Sequence, residues 1–134
     1  MTTIITSKLV SDQQRLSFLP KHFGTMMIRA EQAIYNTLKV ICSSYEGGYW
    51  HFYELSNRGF YLAPDMDEPL PIYVEGNGYD GEVSADAAGI ITTLCVLNQL
   101  CWKTKSDKTI HQYYLLRDYI EYHKEATDIY AAID

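Results

Sequence analysis

Gly47-Gly48-Tyr49-Trp50-His51-Phe52-Tyr53-Glu54-Leu55-Ser56-Asn57-Arg58-Gly59-Phe60-Tyr61-Leu62-Ala63 is the stretch on which the reading of the chain turns. The paired glycines, after Glu46, break the pattern upstream, and Tyr49 to Leu55 is a run of aromatic and apolar residues suited to a pleated, half-buried surface. Ser56-Asn57-Arg58-Gly59 supplies turn chemistry before Phe60 to Ala63. The two runs therefore read as an antiparallel hairpin with a four-residue connection.

Downstream, Pro64, Pro69 and Pro71 bracket an acidic loop from Asp65 to Glu68. A third strand over Leu70 to Glu75 is expected at a sheet edge, because proline cannot donate to a ladder. Gly76 to Gly81 reads as a turn. Ser84 is a good cap for a helix from Ala85 to about Trp102, with Asp86 favoured by the dipole of its first turn. That helix is apolar on most sides, which makes it the expected central core helix. Lys103 to Lys108 forms a polar turn before helices near Thr109 to His123 and Glu125 to Ile133.

Upstream, Thr25 is placed to cap a helix over Met26 to Ile41 that buries Met27, Ile34, Leu38 and Ile41. The opening residues mix polar and apolar positions and end at Leu19-Pro20, so they read as an extended or partly ordered arm docked on the body. Helix, then strands, then helices indicates α+β. The expectation is a single domain over 19–134 preceded by an arm over 1–18, with a small antiparallel sheet of about three strands packed with about four helices.

The 134 residues suit one hydrophobic core, and 47% apolar with 21% charged residues is an ordinary globular composition. Cys42, Cys95 and Cys101 are odd in number and lack CxxC spacing, which points to reduced thiols rather than a disulfide framework or a zinc ribbon. The N-terminus lacks a signal-peptide pattern, and Ala87 to Leu97 is too short an apolar run to span a bilayer, so a soluble, cytoplasmic protein without membrane contact is expected. Net charge is −6, unevenly spread: residues 59–102 carry seven Asp/Glu and no Lys/Arg. The belt Asp65, Asp67, Glu68, Glu75, Asp80, Glu82 and Asp86 is thus the candidate interaction surface. It would repel nucleic acid and favour a basic partner, so stable nucleic-acid binding is not expected.

Motifs for chemistry are sparse. Gly76-Asn77-Gly78-Tyr79-Asp80-Gly81 matches GxGxxG between an expected strand and an expected helix. No second parallel strand follows, however, and Glu75, Asp80 and Glu82 would repel a pyrophosphate, so a glycine turn is preferred to a nucleotide site. His22, His51, His111 and His123 show no metal-ligand spacing, and Asp65-Met66-Asp67-Glu68 lacks the glycine and final glutamate of a calcium loop. No GxSxG elbow or activated thiolate context is present. No catalytic residue, metal or cofactor is assigned. Tyr113, Tyr114, Tyr119, Tyr122 and Tyr130 could form a recognition surface, although packing against the sheet is the preferred role for most of them.

Leu19-Pro20-Lys21-His22-Phe23-Gly24, Arg29 to Asn36, Gly47 to Asn57, Gly76-Asn77-Gly78, Ser84-Ala85-Asp86-Ala87-Ala88-Gly89-Ile90 and the ending Ala131-Ala132-Ile133-Asp134 together resemble the ArdB/KlcA antirestriction family. The resemblance runs from about Leu19 to the C-terminus. It implies a non-enzymatic α+β protein carried by plasmids and other mobile elements, which protects incoming DNA by inhibiting host type I restriction enzymes. Its partner would be a restriction-enzyme subunit or an accessory host factor. Mimicry of DNA by the acidic belt is the alternative, and a small enzyme binding nucleotide at Gly76–Gly81 the weaker one. Duplex DNA carries one charge per ~1.7 Å, so seven carboxylates match only about 12 Å of duplex, against ~34 Å per turn.

Overall fold

The structure, a computed structural model, describes residues 3–134. The hairpin is its first organising element: β2 (Trp50–Leu55) pairs antiparallel with β3 (Phe60–Pro64), with Glu54 opposite Phe60 and Trp50 opposite Pro64. Alternation along β2 buries Trp50 and Phe52 on one face, Leu55 is buried at its end, and every residue of β3 is buried. The third strand of this sheet is β1 (Ser7–Leu9), which pairs with the outer side of β2.

The segment expected to dock on the body as an extended or partly ordered arm does so through this strand. Beyond β1 it winds into α1 (Arg15–Phe23), which continues through Pro20 instead of stopping there. An interior proline costs about 3 kcal/mol in a helix. Burial of Phe18, His22 and Phe23 offsets that cost: Phe18 stacks on Phe52, and His22 stacks on Phe60. Met1 and Thr2, which open the expected arm, lie outside the described residues.

Helix α2 (Met27–Ile41) buries Ala30, Ile34, Leu38 and Ile41, the expected stripe except that Met27 is only partly covered. Thr25 does not cap it; it lies in a 3-10 turn, Gly24–Met26, and Gly24 reverses the chain with φ 56°. The strand expected after the acidic loop, β4 (Leu70–Val74), joins no part of the first sheet. It pairs with β5 (Tyr79–Val83) in a separate two-stranded sheet. The α+β expectation of antiparallel strands packed with helices is met; among the described residues the strands divide between two small sheets, and α1 is added to the four helices expected.

Helix α3 (Ala85–Thr104) is the centre of the core. By length and a mean hydropathy of 1.2 it could be taken for a membrane span. Most of it is instead covered by the sheets and by α2, α4 (Asp107–Tyr119) and α5 (Ala126–Ile133). Its contact with β3 is unusually close. A Cβ on Gly89 would lie 2.2 Å from the Leu62 carbonyl oxygen, and the Thr93 hydroxyl lies 3.3 Å from Leu62 N. The helix thereby covers the free edge of β3 and satisfies groups that a buried edge would otherwise orphan.

Candidate functional site

The acidic belt resolves into three places. Asp65, Asp67 and Glu68 lie in the loop after β3, Glu75 in the β4–β5 turn with Asp80 and Glu82 on the exposed face of β5, and Asp86 in the first turn of α3. Asp65, Asp67 and Asp86 line one shallow depression with His51 and Tyr53, and Asp65 pairs with His51 Nε2 at 3.0 Å. Asp67 and Glu82 line a second beside Lys124 and Glu125. Six of the seven carboxylates are exposed.

Asp86 is different because its carboxylate is committed internally. The Tyr61 hydroxyl donates to Oδ1 at 2.6 Å and His123 Nε2 donates to Oδ2 at 2.8 Å. Glu125 N donates to His123 Nδ1, which places the ring proton on Nε2. Ser7 Oγ lies 3.1 Å from the Tyr61 hydroxyl. Burial, with the Asp86 charge adding to it, holds the Tyr61 phenol well above its ordinary range. The neighbouring Ser84 accepts from Ala87 N, as expected of the cap, and its own N–H and hydroxyl both donate to the Glu125 carboxylate. This network fastens the start of α3 to the sheet and to the turn before α5.

The glycine-rich segment is a hairpin turn and not a loop that opens a helix, since β5 intervenes before α3. Gly78 takes φ 76° and donates to the Val74 carbonyl. Asn77 accepts from Tyr79 N and donates to the carbonyls of Ala131 and Ala132 at the end of α5. Its side chain is engaged within the protein, and the segment opens no helix N-terminus of the kind that holds a pyrophosphate. Among the described residues no group of three or more His, Cys, Asp or Glu could hold a metal ion.

His22 is the most enclosed histidine of the N-terminal half. Burial lowers its pKa below 6.5, while a 3.1 Å bond to Glu54 Oε1 acts in the opposite direction. Glu54 is itself lowered: burial alone would raise it, but hydrogen bonds from Lys21 and His22 outweigh that effect. The C-terminal tyrosines divide as packing dictates. Tyr119 is buried, Tyr113, Tyr122 and Tyr130 are half-buried, and only Tyr114 is exposed.

The sequence pointed to Tyr113 and Tyr114 but not to the groove they line. The last turns of α3 and the first of α4 enclose a groove of about 380 Å³ lined by Asn98, Cys101, Trp102, Lys105, Ile110, Tyr113 and Tyr114. Trp102 is 77% exposed there, whereas Trp50 is buried and donates to the Tyr45 hydroxyl.

Fold and surface together define a small α+β protein whose polar clusters join its elements and whose available features are faces and shallow grooves. A family model described as antirestriction protein matches residues 43–134. The chain is 49% identical over 135 residues to an antirestriction protein KlcA of Escherichia coli, covering 97% of this chain and 95% of that protein. It is 46% identical over 137 residues to another KlcA of Escherichia coli, covering 97% and 94%. A solved structure described as showing a novel fold for KlcA and ArdB, with antirestriction activity against type I DNA restriction systems in vivo but not in vitro, superposes with a TM-score of 0.92. It is 46% identical and each chain is covered in full. The chain belongs to the antirestriction protein family.

Proposed function

We propose that this protein relieves type I restriction in the bacterial cytoplasm by contact with a protein partner, without catalysis and without imitating DNA. The observation that carries the reading is the match of fold and sequence along the whole chain to proteins with that activity. The activity of those relatives in vivo but not in vitro favours a contact that needs a further cellular component over direct blockade of the isolated enzyme. The belt supports the same choice. One of its carboxylates is bound by Tyr61 and His123, another is paired with His51, and the remainder are divided between two loops and a strand. Carboxylates engaged in this way are less free to stand in for the phosphates of a duplex.

The test is the plating efficiency of unmodified phage on cells with an active type I system, with and without the protein. A large rise is expected, and no rise with soluble protein present would refute the reading. Amides at Asp65, Asp67, Glu68, Glu75, Asp80 and Glu82 test mimicry in the same assay. Full protection by that folded variant is expected, and loss of protection would establish the belt as the working surface.

A further inference from the structure

Helix α3 separates the charge of the molecule along its length. Asp86 lies in its first turn, and Asp65 and Asp67 line the depression beside it. About 24 Å further along the axis, at 1.5 Å per residue, it ends in Trp102 and Lys103. Between Asn98 and Tyr114 there are three lysines, Lys103, Lys105 and Lys108, against a single carboxylate, Asp107. Lys105 lines the α3–α4 groove, and no carboxylate does. This end of an acidic protein is locally basic.

The groove also exposes what a folded core would hide. Trp102, Tyr114 and Ile110 are all exposed in it. Tryptophan and tyrosine supply large contact area with few rotors, and hot spots of protein interfaces are enriched in them. Lys105 adds an independent sign. It closes α3 with φ 52°, its N–H donating to the Cys101 carbonyl, at a backbone position where glycine is the ordinary residue. A lysine held in that strained position at the lip of the groove places a charge there that glycine would not.

We propose that this groove is the docking site for an acidic segment of a partner protein that seats an apolar side chain against Trp102. Charge selects this occupant from the alternatives. A second copy docking groove to groove would bring the same lysines together. Nucleic acid would meet one lysine in the groove on a chain of net charge −6, a weak and salt-sensitive contact. An acidic segment meets complementary charge at the rim and gains apolar burial in the centre. That this contact is the one that relieves restriction rests on the functional reading above; the existence of the site does not.

The experiment is selection of a random phage-displayed peptide library on the purified full-length protein, followed by titration of synthetic copies of the enriched peptides. Anisotropy of fluorescein-labelled peptides measures affinity for every variant, and a change in Trp102 emission in the unaltered protein locates binding at the groove, since Trp50 is buried. Enriched peptides should carry an apolar residue flanked by Asp or Glu and bind less tightly as salt is raised. Trp102→Ala should weaken them about ten-fold or more. Lys105→Gly should weaken them too while leaving the thermal midpoint unchanged or higher, which separates binding from folding. Tyr73→Ala, on the exposed face of the other sheet, should have no effect. An empty selection, a pool without acidic residues, or equal affinity for Trp102→Ala would overturn the proposal. Tighter binding of a mixed-sequence single-stranded oligonucleotide at Trp102 would overturn it as well. In the plating assay, loss of protection by the Trp102 and Lys105 variants would tie the groove to restriction, and full protection would break that link. Should the unaltered protein give no protection, the functional reading fails while the peptide result stands by itself.

Discussion

Replacing Gly89 by alanine should destabilise the protein, although glycine to alanine inside a helix ordinarily stabilises it by about 1 kcal/mol. The added Cβ would lie 2.2 Å from the Leu62 carbonyl oxygen and 2.5 Å from both Ala63 Cα and Cβ. Two of these are backbone atoms of a fully buried strand, so no side chain can turn away. Ordinary contact requires α3 to withdraw by roughly an ångström. Thr93 Oγ1 already stands 3.3 Å from Leu62 N and 3.5 Å from Leu62 O, and withdrawal takes both beyond bonding range. Overpacking costs about 1–3 kcal/mol and an orphaned buried amide about 1–3 kcal/mol. Less the helix-propensity gain, the net loss is about 3 kcal/mol. For a domain of this size that lowers the thermal midpoint by about 12 °C. Thermal unfolding followed by far-ultraviolet circular dichroism measures it directly. A midpoint at or above that of the unaltered protein would refute the close-approach argument and leave Gly89 without a structural reason.

Three further outcomes follow from the polar joints. His22 has a folded pKa below its unfolded 6.5, so its neutral form contributes stability above that pH, and the contribution is lost as pH falls through the folded value. Thermal midpoints should therefore decline below pH 6.5, a second decline should begin below about 4.5 as Glu54 protonates, and His22→Phe should remove the first. Asn77→Ala deletes donors to two carbonyls at the end of α5 and should cost about 1–2 kcal/mol, with faster amide exchange confined mainly to α5 and the β4–β5 turn. Asp86→Asn offers one acceptor oxygen where Tyr61 and His123 need two, and should cost about 1–3 kcal/mol by denaturant titration.

What the sequence disclosed, and what it hid, divides along physical lines. The hairpin was legible because Tyr49 to Leu55 is rich in the aromatic residues that suit a pleated surface and Ser56 to Gly59 supply a turn, both local signals. The start of α3 was legible because Ser84 caps through its own side chain, a local interaction. Strand β5 was hidden because Tyr79-Asp80-Gly81-Glu82-Val83 has the composition of a loop, and only pairing with β4 extends it. Strand β1 is three residues long and is held by β2, so nothing in its own composition announces it. Helix α1 was masked by Pro20, whose local penalty is outweighed by the distant Phe52 and Phe60. The belt carboxylates could be named from sequence, but the engagement of Asp86 by residues 25 and 37 positions away could not. The groove was invisible for a related reason: an almost wholly apolar helix does not show which part of its circumference its neighbours leave open.

The segments that identify the family also explain why family likeness alone does not mark a contact surface. Glu54 of the hairpin bonds His22 of the Leu19–Gly24 segment, and His22 receives Gln112 on its carbonyl. Asn77 bonds the Ala131-Ala132 ending, Asn57 bonds the Leu115 carbonyl, and Gly89 admits α3 against Leu62. Most of these residues are therefore joints between elements distant in sequence, and their side chains have little capacity left for a partner. Substitutions there should reduce protection in proportion to lost stability. Substitutions at Trp102 or Lys105 should reduce it with the thermal midpoint unchanged, so the relation between midpoint and protection across the two sets of variants tells scaffold from surface without the partner being known.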